Sequence, residues 1–217
     1  MLILGLDTAT PAVTVALHDG ERPLAQLVTV DARRHAELLA PAISRVIADA
    51  GATRTDLTAI VAGVGPGPYT GLRVGLVTGR VLGAALGIPV YGLCSLDVIA
   101  ADVEPPGTGF LVATDARRRE VYWASYDAEG NREDGPAVNA PADVPRRGRP
   151  VAGEGARLYP SSLPGDIGPA YPAATTLCRM AAFALASGDS SRLLPPEPLY
   201  LRRPDAREPG APKRVSQ

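Results

Sequence analysis

Two aspartates that end apolar, strand-like runs are the first candidates for chemistry in this sequence. Asp7 ends the run at residues 2–7, and Asp115 follows the run at residues 110–114. A tight turn after a strand can wrap an anion such as a phosphate with its backbone N–H groups, and a glycine there lets the backbone approach the anion closely. Neither turn has that glycine, since one reads Asp7-Thr8-Ala9-Thr10 and no glycine follows Asp115 within five residues. We therefore interpret both aspartates as structural carboxylates, and we assign as degenerate phosphate-loop positions Asp7, Thr8, Thr10, Asp115 and Arg117.

A glycine-rich loop at residues 63–71 reads Gly-Val-Gly-Pro-Gly-Pro-Tyr-Thr-Gly and precedes a helical pattern. A glycine loop that meets a helix N-terminus can hold an anion. This loop lacks the Gly-Lys-Ser/Thr ending of a Walker A loop, and Thr70 is a candidate helix cap. The sequence leaves two interpretations open: an anion site, or a sharp strand-to-helix turn that is packed tightly.

Glycine recurs at every fourth position from Gly71 through Gly87. Each glycine inside a helix costs about 1 kcal/mol relative to alanine, so the three interior glycines need compensation. Positions four apart share one helix face, and a face without side chains lets another backbone come close. That neighbour is either a partner protein or the chain's own sheet or helix at residues 35–50, and the sequence alone does not choose.

Catalytic side chains are few. His18 and His35 are seventeen residues apart on different predicted elements, so they form no metal-binding pair on one helix. No Gly-x-Ser-x-Gly motif is present, and Cys94 has no evident histidine partner. The charge cluster at residues 115–120 is either a solvated turn or a polar contact surface. We expect no metal and no cofactor.

Composition excludes some classes of function. The 217 residues carry a formal net charge of −1, whereas a protein that grips nucleic acid unaided usually has a basic excess. Cys94 and Cys178 form no C-x-x-C pair, and the first residues lack the basic segment of a signal peptide. The longest apolar run, near residues 74–86, is too short for a membrane span and contains Arg80. These features predict a cytoplasmic protein without a membrane anchor.

Hydrophobic periodicity predicts an α/β chain with two lobes. The first lobe, residues 1–104, has predicted strands at residues 2–7, 13–18, 24–30, 57–62 and 90–93, and predicted helices at residues 35–50, 72–86 and 95–103. Pro41 indicates that the first helix is either kinked or begins near residue 40.

A Pro-Pro-Gly break at residues 105–107 separates a smaller second lobe, residues 105–202. Its predicted strands are residues 110–114, 121–126 and 151–153, its helix is residues 173–186, and residues 131–150 are expected to form a long surface excursion. A proline-rich, charged tail at residues 203–217 is expected to be disordered. The order of the elements matches the ribonuclease-H-like core that is duplicated in actin-like ATPases and sugar kinases.

The motifs taken together resemble the TsaB family. The resemblance spans nearly all of residues 1–202 in the family's order, and its most specific part is the glycine loop with the helix start that follows it. Its carriers are Leu6-Asp7-Thr8-Ala9-Thr10, His35, the pattern from Gly63 to Gly75, Asp115-Ala116-Arg117-x-x-Glu120-Val121-Tyr122, and Pro198-Leu199-Tyr200-Leu201-Arg202.

The resemblance implies a two-lobed actin-like fold with a reduced C-terminal lobe. It implies a non-catalytic scaffold subunit that supports formation of N6-threonylcarbamoyladenosine (t6A) at position 37 of tRNAs reading codons that begin with A. The partners implied are a catalytic TsaD-type subunit, a TsaE-type ATPase and, when the chain is alone, a second copy; tRNA is reached through the complex. The implied partner interface lies on the two helices of the first lobe, at His35, Leu39, Ile43, Gly71, Arg73, Gly75, Gly79, Arg80 and Gly83.

Two other classes of function compete with the scaffold. One is an active enzyme, either an actin-like ATPase or kinase or a metallopeptidase, against which the missing turn glycines and the missing histidine pair argue. The other is a homodimeric structural protein with no connection to tRNA.

Overall fold

A computed structural model describes residues 1–104 and 107–202, within which nine strands form two sheets. The first sheet has the order β3-β2-β1-β4-β5. Strands β1, β2 and β3 are antiparallel neighbours, whereas β4 runs parallel to β1 and β5 parallel to β4. The strands are β1 (Ile3–Asp7), β2 (Ala12–His18), β3 (Pro23–Val30), β4 (Ala59–Gly63) and β5 (Val90–Leu93).

Helices cover both faces of this sheet. On one face α1 (His35–Asp49) and α2 (Tyr69–Leu86) lie side by side, and on the other lies α5 (Ala174–Ser187). Successive side chains of a strand point to opposite faces, so β1 sends Leu4 and Leu6 into the α1–α2 core and Ile3 into the α5 core. Because both faces are covered, the central strand β1 is a continuous apolar run.

The second sheet has the order β8-β7-β6-β9, and its mainly antiparallel strands carry one parallel pair, β6 with β9. The strands are β6 (Phe110–Asp115), β7 (Val121–Tyr126), β8 (Arg132–Asn139) and β9 (Val151–Ala152). Helix α3 (Ser95–Ala100) packs against β6 and β7, and helix α4 (Glu154–Leu158) packs against β6 and β9. The predicted division near residue 104 falls between the two sheets. Helix α5 does not follow this division. The sequence assigns it to the second lobe, but it packs on the first sheet and completes that sheet's core.

Three local predictions need correction. The expected surface excursion at residues 131–150 contains β8, an edge strand paired with β7. Helix α2 begins at Tyr69 and its cap position is Pro68, so Thr70 is not the cap. Helix α1 begins at His35 and continues through the exposed Pro41, which excludes a start near residue 40.

Two predictions concern residues that lie outside the described part of the chain. One is the prediction that residues 203–217 form a disordered tail, and the other concerns the two prolines of the predicted break, residues 105 and 106. Within the described ranges, no helix combines the length and apolarity needed to cross a membrane.

The glycine stripe of α2 faces the chain's own sheet. A Cβ atom at Gly75 would lie 2.5 Å from Thr8 Oγ1, and one at Gly83 would overlap the side chain of Val90. A Cβ at Gly79 would meet Ile60 at 3.6 Å. The structure therefore contradicts the expectation that these glycines let a partner helix approach, because they let α2 approach β1, β4 and β5 instead.

Gly79 and Gly75 should respond differently to substitution by alanine. Both Gly79→Ala and Gly75→Ala gain about 1 kcal/mol of helix propensity. The difference between the unfolding free energies of the two variants therefore reports the contact that each new methyl makes with the sheet. At Gly79 the new methyl makes ordinary contacts of 3.6–3.8 Å, and we expect the free energy of unfolding to rise. At Gly75 the methyl displaces the Thr8 hydroxyl, and overpacking of this kind costs about 1–3 kcal/mol.

Urea unfolding of the two variants beside the wild type measures both effects. If Gly75→Ala were as stable as Gly79→Ala, the close packing of α2 on β1 would be contradicted.

Candidate functional site

Asp7 is fully buried at the end of β1. Its Oδ1 accepts a hydrogen bond from the Ala9 N–H at 2.7 Å, and its Oδ2 accepts one from the Ser95 hydroxyl at 2.6 Å. Burial raises the pKa of this carboxyl from 3.8 to about 6, although the Ser95 and Ala9 hydrogen bonds and the nearby His35 oppose the rise. The carboxylate therefore lies in an environment that favours its neutral form.

Ser95 extends this contact to two further elements. Its hydroxyl oxygen accepts the Gly65 N–H at 3.2 Å while it donates to Asp7, so β1, the glycine loop and the start of α3 meet at one pair of side chains. The approach requires a glycine at Gly63, because a Cβ there would overlap the Asp7 carboxylate.

The first turn, residues 7–10, is closed over by the glycine loop, residues 63–71. The Thr8 hydroxyl donates to the Gly71 carbonyl at 2.7 Å and accepts the Gly75 N–H at 2.9 Å. A Cβ at Gly67 would overlap the backbone of Ala9. No residue of the turn is more than 4% exposed, so the chain's own loop covers the backbone that would have to reach a phosphate. The turn does not fit a nucleotide.

His35 fixes the start of α1 to the same turn. Its Nε2 lies 2.8 Å from the Thr10 carbonyl oxygen, and because a carbonyl only accepts, Nε2 must carry the proton. His35 and Leu39 are buried in the fold, so neither presents its side chain to a partner as the sequence had suggested.

The second turn, residues 115–120, is held in an unusual backbone conformation. Its Asp115 accepts the Arg117 N–H at 2.9 Å, and the Ala116 N–H donates to the Glu120 carbonyl at 2.9 Å. Three successive arginines, Arg117, Arg118 and Arg119, have φ values of 61°, 56° and 61°. Left-handed backbone costs a non-glycine residue about 1–2 kcal/mol, so the surrounding contacts must hold this turn.

A C-terminal strap, residues 194–202, joins the two sheets. It begins with two backbone hydrogen bonds between Leu194 and Gly92 at the edge of β5, and the Leu199 N–H donates to the Val64 carbonyl at 2.9 Å. The strap ends with Arg202, which donates to the Ala116 carbonyl and pairs with the Glu120 carboxylate. The strap thereby connects the glycine loop to the second turn.

Tyr200 places the strap on the start of α2. Its ring stacks on Tyr69 with centroids 5.2 Å apart, and its hydroxyl accepts a hydrogen bond from Arg73 Nε at 2.8 Å. The Arg73 guanidinium also lies 3.8 Å from the centre of the Tyr69 ring. Arg73 is thus exposed but held in one orientation.

The outer face of the helix pair carries an exposed apolar groove. Val77 and Val81 of α2 are 56% and 63% exposed, and they point away from the glycine stripe. We name the outer groove by its apolar lining, Ala40, Ile43, Ile47, Val77, Val81, Leu82 and Ala85. Its volume is about 680 Å³.

The predicted site residues form two turns, and Arg117 of the second turn borders a cavity of about 300 Å³ that Thr8, Thr10 and His35 also line. Asp7, Thr8, Thr10 and His35 meet at the buried first turn, while Asp115 and Arg117 form the second turn. Of the predicted interface residues, only Ile43, Arg73 and Arg80 reach the outer surface or the groove; the residues buried in the fold are His35, Leu39, Gly71, Gly75, Gly79 and Gly83.

Sequence reasoning missed Ser95, Val77 and Val81. The two valines stand four residues apart on the face opposite the glycines, so helical spacing could have identified them. Nothing in the sequence distinguishes Ser95 from an ordinary residue at a helix start.

Comparison with known proteins identifies the family of this chain. Residues 28–163 match the profile of the family described as TsaD: tRNA N6-adenosine threonylcarbamoyltransferase. The tRNA threonylcarbamoyladenosine biosynthesis protein TsaB of Escherichia coli is 34% identical, with 93% of this chain and 95% of that protein covered. The chain belongs to the TsaB family.

Two further proteins are similar over most of the chain. The uncharacterized protein Rv3421c of Mycobacterium tuberculosis is 49% identical over 94% of this chain and 93% of its own length. A Pseudomonas aeruginosa crystal structure, described as similar to peptidase YEAZ, superposes with a TM-score of 0.77 at 30% identity. It covers 93% of this chain and 99% of its own, so the predicted two-lobed, actin-like and ribonuclease-H-like fold is confirmed.

The buried Asp7 should leave a pH signature on stability. Its folded pKa of about 6 lies above the ordinary 3.8, so the folded state binds the proton more tightly than the unfolded chain does. The stability from this proton is complete below pH 3.8 and is lost as the pH rises through about 6. The Asp7→Asn variant mimics the neutral acid and does not titrate at this position. The unfolding free energy of the wild type, measured relative to that of Asp7→Asn, should therefore fall by about 2 kcal/mol between about pH 4.5 and 7.5.

Urea unfolding of both proteins at a series of pH values measures this difference. Curves that stay parallel across the range would contradict a neutral buried Asp7.

Proposed function

We propose that this TsaB-family chain is a non-catalytic scaffold subunit in the formation of t6A at position 37 of tRNA. It acts with a TsaD-type catalytic subunit and a TsaE-type ATPase in the cytoplasm. The observation that carries the proposal is the closed first turn, in which the chain's own glycine loop covers Thr8 and Ala9. The names of the E. coli relative and of the matching family, quoted above, support the assignment to this tRNA modification.

Two features of the described residues support a non-catalytic role. A phosphate cannot reach the backbone of the first turn, and Asp7 is directed to Ser95 inside the fold. In residues 1–104 and 107–202, no three side chains among His, Cys, Asp and Glu are grouped so that they could hold a metal ion. Both features support a subunit whose contribution is a binding surface.

The outer groove is the surface that we assign to the TsaD-type subunit. The exposed valines of α2, beside the apolar groove residues of α1, fit the apolar face of a partner's helix pair, since contiguous exposed apolar area marks interaction sites in proteins. Arg73 and Arg80 lie on the same exposed side of α2 and supply a polar rim. When the chain is alone, the same groove would be covered by a second copy of it.

The chain's charge limits its direct role in holding tRNA. A formal net charge of −1 gives no general attraction to a phosphate backbone. We therefore propose that tRNA is held mainly by the other subunits of the complex.

A charge placed in the outer groove should separate partner binding from folding. Val77→Glu puts a carboxylate at a residue that is 56% exposed, so the isolated chain should keep its unfolding free energy within about 0.5 kcal/mol. Burying that carboxylate in an interface would weaken association at least about tenfold. Isothermal titration against the purified TsaD-type subunit measures the affinity.

The matched control is Val28→Glu, which changes an equally exposed valine on β3. This variant should bind like the wild type. Unchanged affinity of Val77→Glu, or equal losses in both variants, would contradict the assignment of the outer groove.

A further inference from the structure

A second cavity, of about 590 Å³, opens between the two sheets and contains no residue of α1 or α2. Its lining mixes polar and apolar side chains, and the apolar ones include Phe110, Val103 and Leu194. The cavity lies within the size range of small-molecule sites, about 300–1,000 Å³. Because none of its lining residues belongs to the first turn or to the outer groove, the cavity is separate from both.

A rigid carboxylate stands in the wall of this cavity. Asp97 Oδ1 accepts hydrogen bonds from the Tyr126 hydroxyl at 2.8 Å and from Arg132 Nη1 at 3.2 Å. Tyr126 is 1% exposed, and its ring stacks on Phe110 with centroids 5.3 Å apart. Because the tyrosine cannot move, the carboxylate is held in place. Burial raises the pKa of Asp97 even though Arg132 opposes the rise, so a nearby cation would stabilise its ionised form further.

Two guanidinium groups and a second carboxylate share the same wall. Arg192 donates to Asn131 Oδ1 at 3.2 Å, and its charge also acts on Asp97. Glu129 lies on the turn between β7 and β8 that borders the cavity. Each guanidinium has five donors in a fixed geometry that matches a carboxylate, and within residues 1–104 and 107–202 only part of them are engaged.

These charges together select a class of ligand. Asp97 and Glu129 balance Arg132 and Arg192, so the wall has no net charge and offers an anion site beside a cation site. A dianion such as a phosphate would meet two carboxylates at close range, whereas a zwitterion complements both signs. The apolar residues of the lining, among them Leu194, then accommodate an uncharged side chain.

We propose that this cavity binds a free apolar α-amino acid. The ligand's carboxylate contacts Arg132 and Arg192, its ammonium group contacts Asp97, and its side chain lies over Phe110 and Leu194.

Three probes of similar shape test this assignment by isothermal titration of the full chain. L-Phenylalanine carries both charged groups, 3-phenylpropionate lacks the ammonium, and 2-phenylethylamine lacks the carboxylate. We expect L-phenylalanine to saturate one site with a dissociation constant of about 1 mM or below, and each analogue to bind about tenfold more weakly because one charge-assisted contact is lost.

Variants locate the site. Arg192→Gln changes an exposed side chain that the fold does not need and should weaken L-phenylalanine binding about tenfold. The control Arg22→Gln alters an exposed arginine in the turn between β2 and β3 and should bind like the wild type. Asp97→Asn tests the ammonium contact, with circular dichroism as the check of its folding.

Four results would overturn the proposal. They are the absence of saturable L-phenylalanine binding, equal affinity for 3-phenylpropionate, equal affinity for 2-phenylethylamine, and wild-type affinity in Arg192→Gln. None of these results bears on the outer groove, so the proposed scaffold function would stand or fall separately.

Discussion

The hydroxyl of Thr8 lies between β1 and α2, where it donates to the Gly71 carbonyl and accepts the Gly75 N–H. This contact holds the helix backbone against the end of the strand, and it is possible only because Gly71 and Gly75 have no side chains. Gly63 and Gly67 extend the same close approach to Asp7 and Ala9. The repeated glycines are therefore explained by the packing of one element, and the lost helix propensity is offset by contacts with the sheet.

The consequence for function is a division between two faces of α2. The inner face fills the turn that a nucleotide would need, while the outer face carries the exposed Val77 and Val81. The helix that closes the first turn therefore also presents the exposed apolar face. The C-terminal strap holds the start of this helix, because Tyr200 contacts Tyr69 and Arg73 there.

Much of the fold could be predicted, because alternation and helical spacing are local signals. Strand β8 was missed because it is an edge strand with charges and a proline, so it lacks the apolar pattern of a buried strand. The position of α5 on the first sheet depends on contacts between segments far apart in the chain, which no local pattern records.

The site was predicted less well for a related reason. One face of α2 carries glycines and the opposite face mixes Val77 and Val81 with arginines, so the hydrophobic pattern did not settle which face meets the sheet. Thr8 decides that orientation through its hydrogen bonds to Gly71 and Gly75, which lie 63 and 67 positions further along the chain. Ser95 was missed for the same cause, since its importance lies entirely in its contact with the distant Asp7.

We propose that this chain binds its partner through the outer face of α1 and α2, while its first turn stays closed. Methyl NMR of the valine-labelled chain, recorded with and without the TsaD-type subunit, is the sharpest test of this proposal. We expect large shifts or broadening for the methyl groups of Val77 and Val81, with the buried Val13 and Val15 of β2 changing little. Unchanged Val77 and Val81 signals in a demonstrated complex would show that the partner does not bind the outer groove.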